Sequence, residues 1–176
     1  LGWLNKDRKR FSQARENFQK ALALNPSNEW AYLGLGSVCR VENQWHQVQQ
    51  YLTKAQAINP RNEAVYIQLG DLFRDSGQFE LAQEHYARAL KLNPGNAWPY
   101  VGLGWLCHAR GELEQAEKYF KKAVEVAPDN ETGHIELCWL YHDRASYCKG
   151  VKNVLRAEYY YDKAVMSAKK ALTLNP

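Results

Sequence analysis

An all-α fold, one helix hairpin repeated along the chain, is predicted by three observations. Pro26, Pro60, Pro94 and Pro128 recur with a constant spacing of 34, and Pro176 follows after a further 48, one period plus 14. The first four prolines sit in near-identical surroundings: Leu-Asn-Pro-Ser-Asn at 24–28, Ile-Asn-Pro-Arg-Asn at 58–62, Leu-Asn-Pro-Gly-Asn at 92–96 and Val-Ala-Pro-Asp-Asn at 126–130. Between them recur two amphipathic stretches of about 12 residues, with small residues in fixed columns. A fixed period of this length identifies a repeat array.

Each element of the unit has its own chemistry. The proline stops a helix, and Asn28, Asn62, Asn96 and Asn130 are placed to cap the next one. Glu29, Glu63 and Glu131 then put an anion at the positive end of that helix. Counting from the residue after each Asn, the fourth place of the first helix is Tyr32, Tyr66, Tyr100 and His134, and the seventh is Leu35, Leu69, Leu103 and Leu137. The eighth place is Gly36, Gly70, Gly104 and Cys138. On the second helix, Ala14, Val48, Ala82, Ala116 and Ala164 fill the twentieth place, and Ala21, Ala55, Ala89, Ala123 and Ala171 the twenty-seventh. A Gly facing an Ala lets two helix backbones approach closely, so each unit closes as an antiparallel hairpin. The expected units are 1–28, 29–62, 63–96, 97–130 and 131–176, the last lengthened by an insertion near 146–159.

With these columns in place the chain resembles a tetratricopeptide repeat array. The Tyr, the Leu-Gly pair, the two alanines and the closing Pro match that family's pattern in four units and partly in a fifth. The resemblance implies a right-handed superhelical solenoid, continuous over 1–176, that acts as a protein-interaction scaffold. It says little about which partner.

Composition agrees with a single helical array. No apolar run approaches the ~18 residues of a membrane span, and no cofactor is expected. Cys39 and Cys107 fall in the eleventh place and Cys138 in the eighth, on the packed face, while Cys148 lies off the repeat pattern; four unpaired cysteines suit a reducing, cytoplasmic setting. Residues 1–143 carry 16 Lys/Arg against 17 Asp/Glu, and residues 144–176 carry 7 against 2, so the net charge of +4 resides in the last unit. Leu1-Gly2 occupy the seventh and eighth places and the chain stops on Pro176, which suggests a segment of a longer array. Open array ends would expose apolar surface and offer a route to self-association.

Places two, five, nine and twelve of the first helix fall within about an 80° arc, turned roughly 130° from the Tyr-Leu-Gly face. In the resembled family this stripe lines a concave groove for an extended peptide or a partner helix. Here Trp30 and Trp98 take the second place, and Trp3, Trp105 and Trp139 the ninth. Five of six tryptophans thus lie on a face that packing does not require, whereas Trp45 is expected to pack at the start of its second helix. Trp98, Val101, Trp105, Ile135 and Trp139 are expected to form an apolar patch, with Ile67 and Asp71 in the same stripe. The twelfth place, Lys6, Arg40, Arg74, His108 and His142, reads as a basic column suited to an acidic ligand or a free carboxylate, although Asp71 and Asp75 lie close enough to engage Arg74. A secondary surface of Tyr147, Lys149, Lys152, Arg156 and Tyr159 is expected on the insertion, a docking face for an acidic partner or simply a solvated tip.

No serine elbow, no carboxylate pair and no nucleophile beside a base is present, so the segment is expected to be non-catalytic. His134, Cys138 and His142 recur at intervals of four but drift around the helix and share packing columns, which argues against a metal site. Two other readings stand beside the peptide-binding scaffold. One is the regulatory or substrate-presenting arm of a larger enzyme. The other is single-stranded RNA binding, disfavoured by the near-neutral stretch over 1–143.

Overall fold

The computed structural model describes residues 2–175, with side chains from residue 10 onward. Trp3 and Lys6 therefore have side chains outside the described set. The described residues form nine helices and no strand: α1 (Gly2–Leu24), α2 (Glu29–Val41), α3 (Trp45–Ile58), α4 (Glu63–Asp75), α5 (Phe79–Leu92), α6 (Ala97–Ala109), α7 (Leu113–Val126), α8 (Glu131–Gly150) and α9 (Val154–Leu174). They gather into two compact units, one running up to Leu92 and the other from Asn93 onward.

The helix boundaries follow from the repeated pentapeptide. The side-chain oxygens of Asn28, Asn62, Asn96 and Asn130 accept from the backbone N–H groups of Ala31, Ala64, Trp98 and Thr132 at 3.1, 3.0, 3.0 and 2.8 Å. Each bond satisfies one of the donors a helix start leaves without an internal partner. The preceding helices end at Leu24, Ile58, Leu92 and Val126, two residues before a proline, because proline disfavours helical geometry in the residue ahead of it. The Tyr66 hydroxyl donates to the Pro60 carbonyl at 2.9 Å and that of Tyr100 to Pro94 at 3.4 Å, which ties the fourth-place tyrosines to the turn before them.

Within hairpins, the chain reverses at Asn43, Gly77 and Gly111, whose φ angles of 58°, 75° and 77° lie in the left-handed region. The corresponding place in the first repeat is Lys9, and there α1 runs on unbroken from Gly2 to Leu24. The first repeat is thus one continuous helix, where the repeat pattern alone suggests a truncated hairpin.

Packing in each hairpin turns on one pair of places. The twenty-fourth place is Leu52, Tyr86 or Phe120, all essentially inaccessible to solvent, and it lies against the eighth-place glycine of the same hairpin. A Cβ on Gly70 would come within 2.5 Å of Cε1 of Tyr86, and one on Gly104 would press as hard on the Phe120 ring; at Gly36 the nearest atom is Leu52 Cδ2 at 3.3 Å. In the first unit the core of Leu33, Cys39, Val48, Leu52, Ala55, Val65, Leu69 and Leu72 is shared among α2, α3 and α4. The second unit's core runs from Val101 through Phe120, Leu137 and Tyr141 to Cys148, Tyr160 and Ala164. Cys148 is therefore a core residue despite lying off the repeat pattern. Trp45 departs from expectation as well: it opens α3 at the rim of the hairpin and is 41% exposed.

The last hairpin is longer. α8 has 20 residues against 13 in α6, and α9 has 21 against 14 in α7, so the inserted length is divided equally between the two helices. Its reversal sits at Lys152 (φ 59°), followed by Asn153, whose side chain accepts from the Arg156 N–H at 3.2 Å. Inside this hairpin Arg144 is 7% exposed. Its guanidinium donates to Glu117 Oε2 at 2.9 Å, Glu114 Oε1 at 3.0 Å and the Tyr160 hydroxyl at 3.3 Å, and lies over the Tyr160 ring at 5.4 Å. Glu117 also accepts from the Tyr141 hydroxyl at 2.9 Å and pairs with Lys121 at 2.8 Å. One carboxylate on α7 thereby fastens both helices of the last hairpin.

Gly104→Ala should lower stability. The overpacking cost of about 1–3 kcal/mol against the inextensible Phe120 ring outweighs the ~1 kcal/mol that Ala gains over Gly in a helix. The urea midpoint is expected to fall, and Phe120→Leu added to Gly104→Ala to restore part of it, as the Gly36–Leu52 pair suggests.

Burial works to raise the Glu117 carboxyl, but hydrogen bonds from Lys121 and Tyr141 and the charges of Lys121 and Arg144 outweigh it and hold the group below its ordinary 4.5. A depressed carboxyl stabilises the fold above the unfolded-state value, and that contribution is lost as pH falls through the folded-state value. Thermal melts should therefore show wild type losing stability below pH 4.5, with a shallower loss in Glu117→Gln.

Candidate functional site

In the first unit the stripe on the first helices divides into an exposed aromatic and a closed ionic cluster. Trp30, on the first turn of α2, is 61% exposed, and Ile67 on α4 is half-buried. Asp71 sits at the centre of the cluster. It receives Arg40 Nη1 at 3.0 Å, Arg74 Nη1 at 3.3 Å and the Tyr86 hydroxyl at 2.7 Å. Asp75 holds Arg74 through Nε and Nη2 at 3.1 and 2.9 Å and lies 3.7 Å from Arg40. Burial, reinforced by the Asp71 carboxylate, pushes the Tyr86 hydroxyl above its ordinary value, so it stays a proton donor.

This corrects the reading of the twelfth place as a basic column waiting for an acidic ligand. Arg40 and Arg74 are each bound to two carboxylates, and the cluster of two arginines and two aspartates carries no net charge. Helical angles place the arginines on the stripe but do not show that Asp71 and Asp75 of the next first helix meet Arg40 there.

In the second unit Trp98 and Trp139 are 53% and 63% exposed, and Ile135 is 38% exposed. Trp105 is half-buried, edge-on to Phe120 at 6.2 Å and to His108 at 5.6 Å between ring centres. Val101, expected in the apolar patch, is instead a core residue, 5% exposed. α6 packs against α8 as α2 packs against α4, and the fifth-place Val101 and Leu33 are both buried. His108 Nε2 lies 2.8 Å from Asp143 Oδ2, and His142 is exposed with its ring against Tyr161, 6.0 Å between centres.

Trp105 and His108 of α6, Phe120 of α7, and Glu136, Trp139, Leu140 and Asp143 of α8 enclose a pocket of about 200 Å³. Two further clefts on α8 and α9 meet at Cys138, Trp139 and Ala168. Among the described residues no cluster of His, Cys, Asp and Glu is arranged to hold a metal, and no helix is long and apolar enough to cross a membrane.

The secondary surface lies at the tip of the last hairpin. Tyr147 is 72% exposed, Lys149 and Lys152 are exposed, and Tyr159 is half-exposed with Lys163 over its ring at 4.7 Å. Arg156 lies over the Tyr160 ring at 6.0 Å. The repeat pattern does not single out Arg144, yet Tyr141, Ala145 and Cys148 share its face of α8 and could have marked it as inward-pointing.

The comparisons with known proteins agree with this architecture. A tetratricopeptide repeat model matches residues 62–129 and a TPR repeat model matches residues 6–39. No curated protein shows significant sequence similarity to the chain. Among solved structures, MamA superposes with a TM-score of 0.67 at 21% identity over 98% of this chain and 97% of its own. TTC0263, a thermophilic TPR protein of Thermus thermophilus, superposes at 0.71 with 23% identity over 99% and 91% of the two chains. YrrB, described as a TPR protein with an unusual peptide-binding site, superposes at 0.55 with 22% identity over 98% and 82%.

Removing the centre of the first-unit cluster with Asp71→Ala should cost about 1–3 kcal/mol, because the buried Tyr86 hydroxyl loses its acceptor and two guanidiniums lose a counter-charge. A lower urea midpoint is the expected result, and an unchanged one would show the cluster to be energetically idle.

Proposed function

Because the chain belongs to the tetratricopeptide repeat family, whose members generally mediate protein–protein interaction, we propose that it is a non-catalytic scaffold. It captures an extended or helical segment of a partner on the aromatic stripe of its first helices. The observation that carries this reading is the exposure of Trp30, Trp98 and Trp139 at 61%, 53% and 63% while the seventh-place leucines Leu35, Leu69, Leu103 and Leu137 are buried. A tryptophan left in water forgoes about 1.5–3 kcal/mol or more of burial, and large rigid rings are the usual anchors of protein interfaces.

The binding energy in this proposal is apolar anchoring, by Trp30 with Ile67 in the first unit and by Trp98 and Trp139 with Ile135 and Trp105 in the second. The long-range attraction of an acidic partner has little to draw on, since Arg40 and Arg74 are neutralised within the first unit. The same neutralisation weakens the RNA reading, which needs a basic column to follow a phosphate backbone.

Selection of a random twelve-residue peptide library on the wild-type protein provides the test. The selected peptides should lose at least about tenfold in affinity for the Trp30→Ala, Trp98→Ala, Trp139→Ala triple variant, whose helicity by circular dichroism should stay unchanged because all three rings are exposed. Peptides that bind the triple variant as well as wild type would overturn the proposal.

A further inference from the structure

The pocket of the second unit has a composition that the stripe as a whole does not. Its walls are Trp105, Phe120, Trp139 and Leu140, and its polar lining is two carboxylates, Glu136 and Asp143, with one imidazole, His108. No Lys or Arg lines it. His108 turns its Nε2 towards Asp143 at 2.8 Å, so the imidazole helps to orient the carboxylate. At about 200 Å³ the space falls below the roughly 300–1,000 Å³ of pockets that take a drug-sized molecule, and it is matched to a single side chain.

We infer that this pocket receives a basic side chain of the partner, arginine in preference to lysine. The inference rests on the scaffold reading and specifies what one position of the bound segment must be. Charge complementarity selects the occupant. A carboxylate or phosphate would meet two carboxylates, Glu136 and Asp143, and no Lys or Arg in the lining. A purely apolar side chain would displace water from the polar edge of the pocket and return no hydrogen bond. A guanidinium satisfies both kinds of wall at once: it stacks on indole rings and donates to carboxylates in a planar fork. An ammonium makes the same two interactions with fewer directed donors and a stronger hold on its water, and hence binds more weakly. The expectation of an acidic ligand is thereby reversed for this part of the stripe.

The probe is a set of capped pentapeptides, Gly-Ser-X-Ser-Gly, in which X is arginine, lysine, citrulline or glutamate. Citrulline keeps the shape and planarity of arginine and removes its charge. Indole N–H resonances of the full chain are followed by nuclear magnetic resonance, with Trp105 and Trp139 assigned through Trp→Phe variants. The arginine peptide should shift both resonances saturably, with an affinity about tenfold above that of citrulline, and glutamate should give no shift. Glu136→Gln combined with Asp143→Asn should remove the arginine preference and leave the citrulline response in place. Equal responses to arginine and citrulline, or no shift at millimolar arginine peptide, overturn the inference. The library peptides separate this failure from failure of the scaffold reading. If they depend on Trp30, Trp98 and Trp139 but carry no basic residue and bind the Glu136→Gln, Asp143→Asn variant normally, the stripe stands and the basic subsite does not.

Discussion

The close approach of two helices at the eighth and twenty-fourth places governs the rest of the structure. A glycine on the first helix gives up its side chain so that a tyrosine or phenylalanine on the second can come close against the backbone, as Tyr86 does at Gly70 and Phe120 at Gly104. One large buried ring contributes about 1.5–3 kcal/mol, more than the roughly 1 kcal/mol that glycine costs the helix holding it. The alanine columns do the same with less bulk. Because these few places fill the interior, Trp30 and Trp98 at the second place and Trp139 at the ninth stand exposed, while Trp105 at the ninth rests edge-on against Phe120.

The polar residues of the stripe obey a second rule, which links neighbouring first helices. The twelfth place of one first helix meets the thirteenth place of the next in both units: Arg40 lies 3.7 Å from Asp75, and His108 lies 2.8 Å from Asp143. Asp71, at the ninth place, joins the first of these pairs at 3.0 Å. Partly exposed pairs of this kind contribute modestly one at a time. Their consequence for function is larger, because they settle which charges a ligand can meet. A column that reads as basic in every unit is neutralised in the first unit by the two aspartates of α4, which meet Arg40 from the next hairpin and Arg74 along their own helix. In the second unit, Asp143 joins Glu136 to give the pocket an acidic lining.

What can be read from the sequence follows the range of the interactions involved. The caps at Asn28, Asn62, Asn96 and Asn130, the proline stops and the glycine and alanine columns act within a few residues or repeat identically, and they are legible. The exposure of Trp30, Trp98 and Trp139 follows from the same periodicity. Val101 is misplaced by that periodicity because an angle around one helix does not say which neighbour crosses over it. Arg40 is misread because its partners, Asp71 and Asp75, sit on a helix whose rotation relative to α2 depends on packing. The continuity of α1 is hidden for a simpler reason: the repeat columns continue through Lys9, and residue type there does not decide, since Lys152 makes the reversal of the last hairpin.

The last hairpin shows what happens when the governing contact is withdrawn. Its eighth place is Cys138 and its twenty-fourth is Ala168, so neither the glycine nor the ring is present, and both residues line open clefts on α8 and α9. The hairpin makes up the loss in two other ways. Each helix is longer than its counterpart, 20 residues against 13 and 21 against 14, which extends the seam to Cys148, Ala157 and Tyr160. Arg144 is then buried within that seam and held by Glu117, Glu114 and Tyr160. A buried ion pair adds little net stability over an apolar pair of the same shape, but breaking it is costly, since the abandoned charge has no water to turn to. The contact that seats the two helices of the earlier hairpins is one of shape; the charged contact of Arg144 instead ties the last hairpin to Glu114 and Glu117 of α7. The basic excess of residues 144–176 consequently divides in two: Arg144 and Lys163 serve the Glu117 network that ties α8 and α9 to α7, at 2.9 and 3.9 Å, while Lys149 and Lys152 remain exposed at the hairpin's tip.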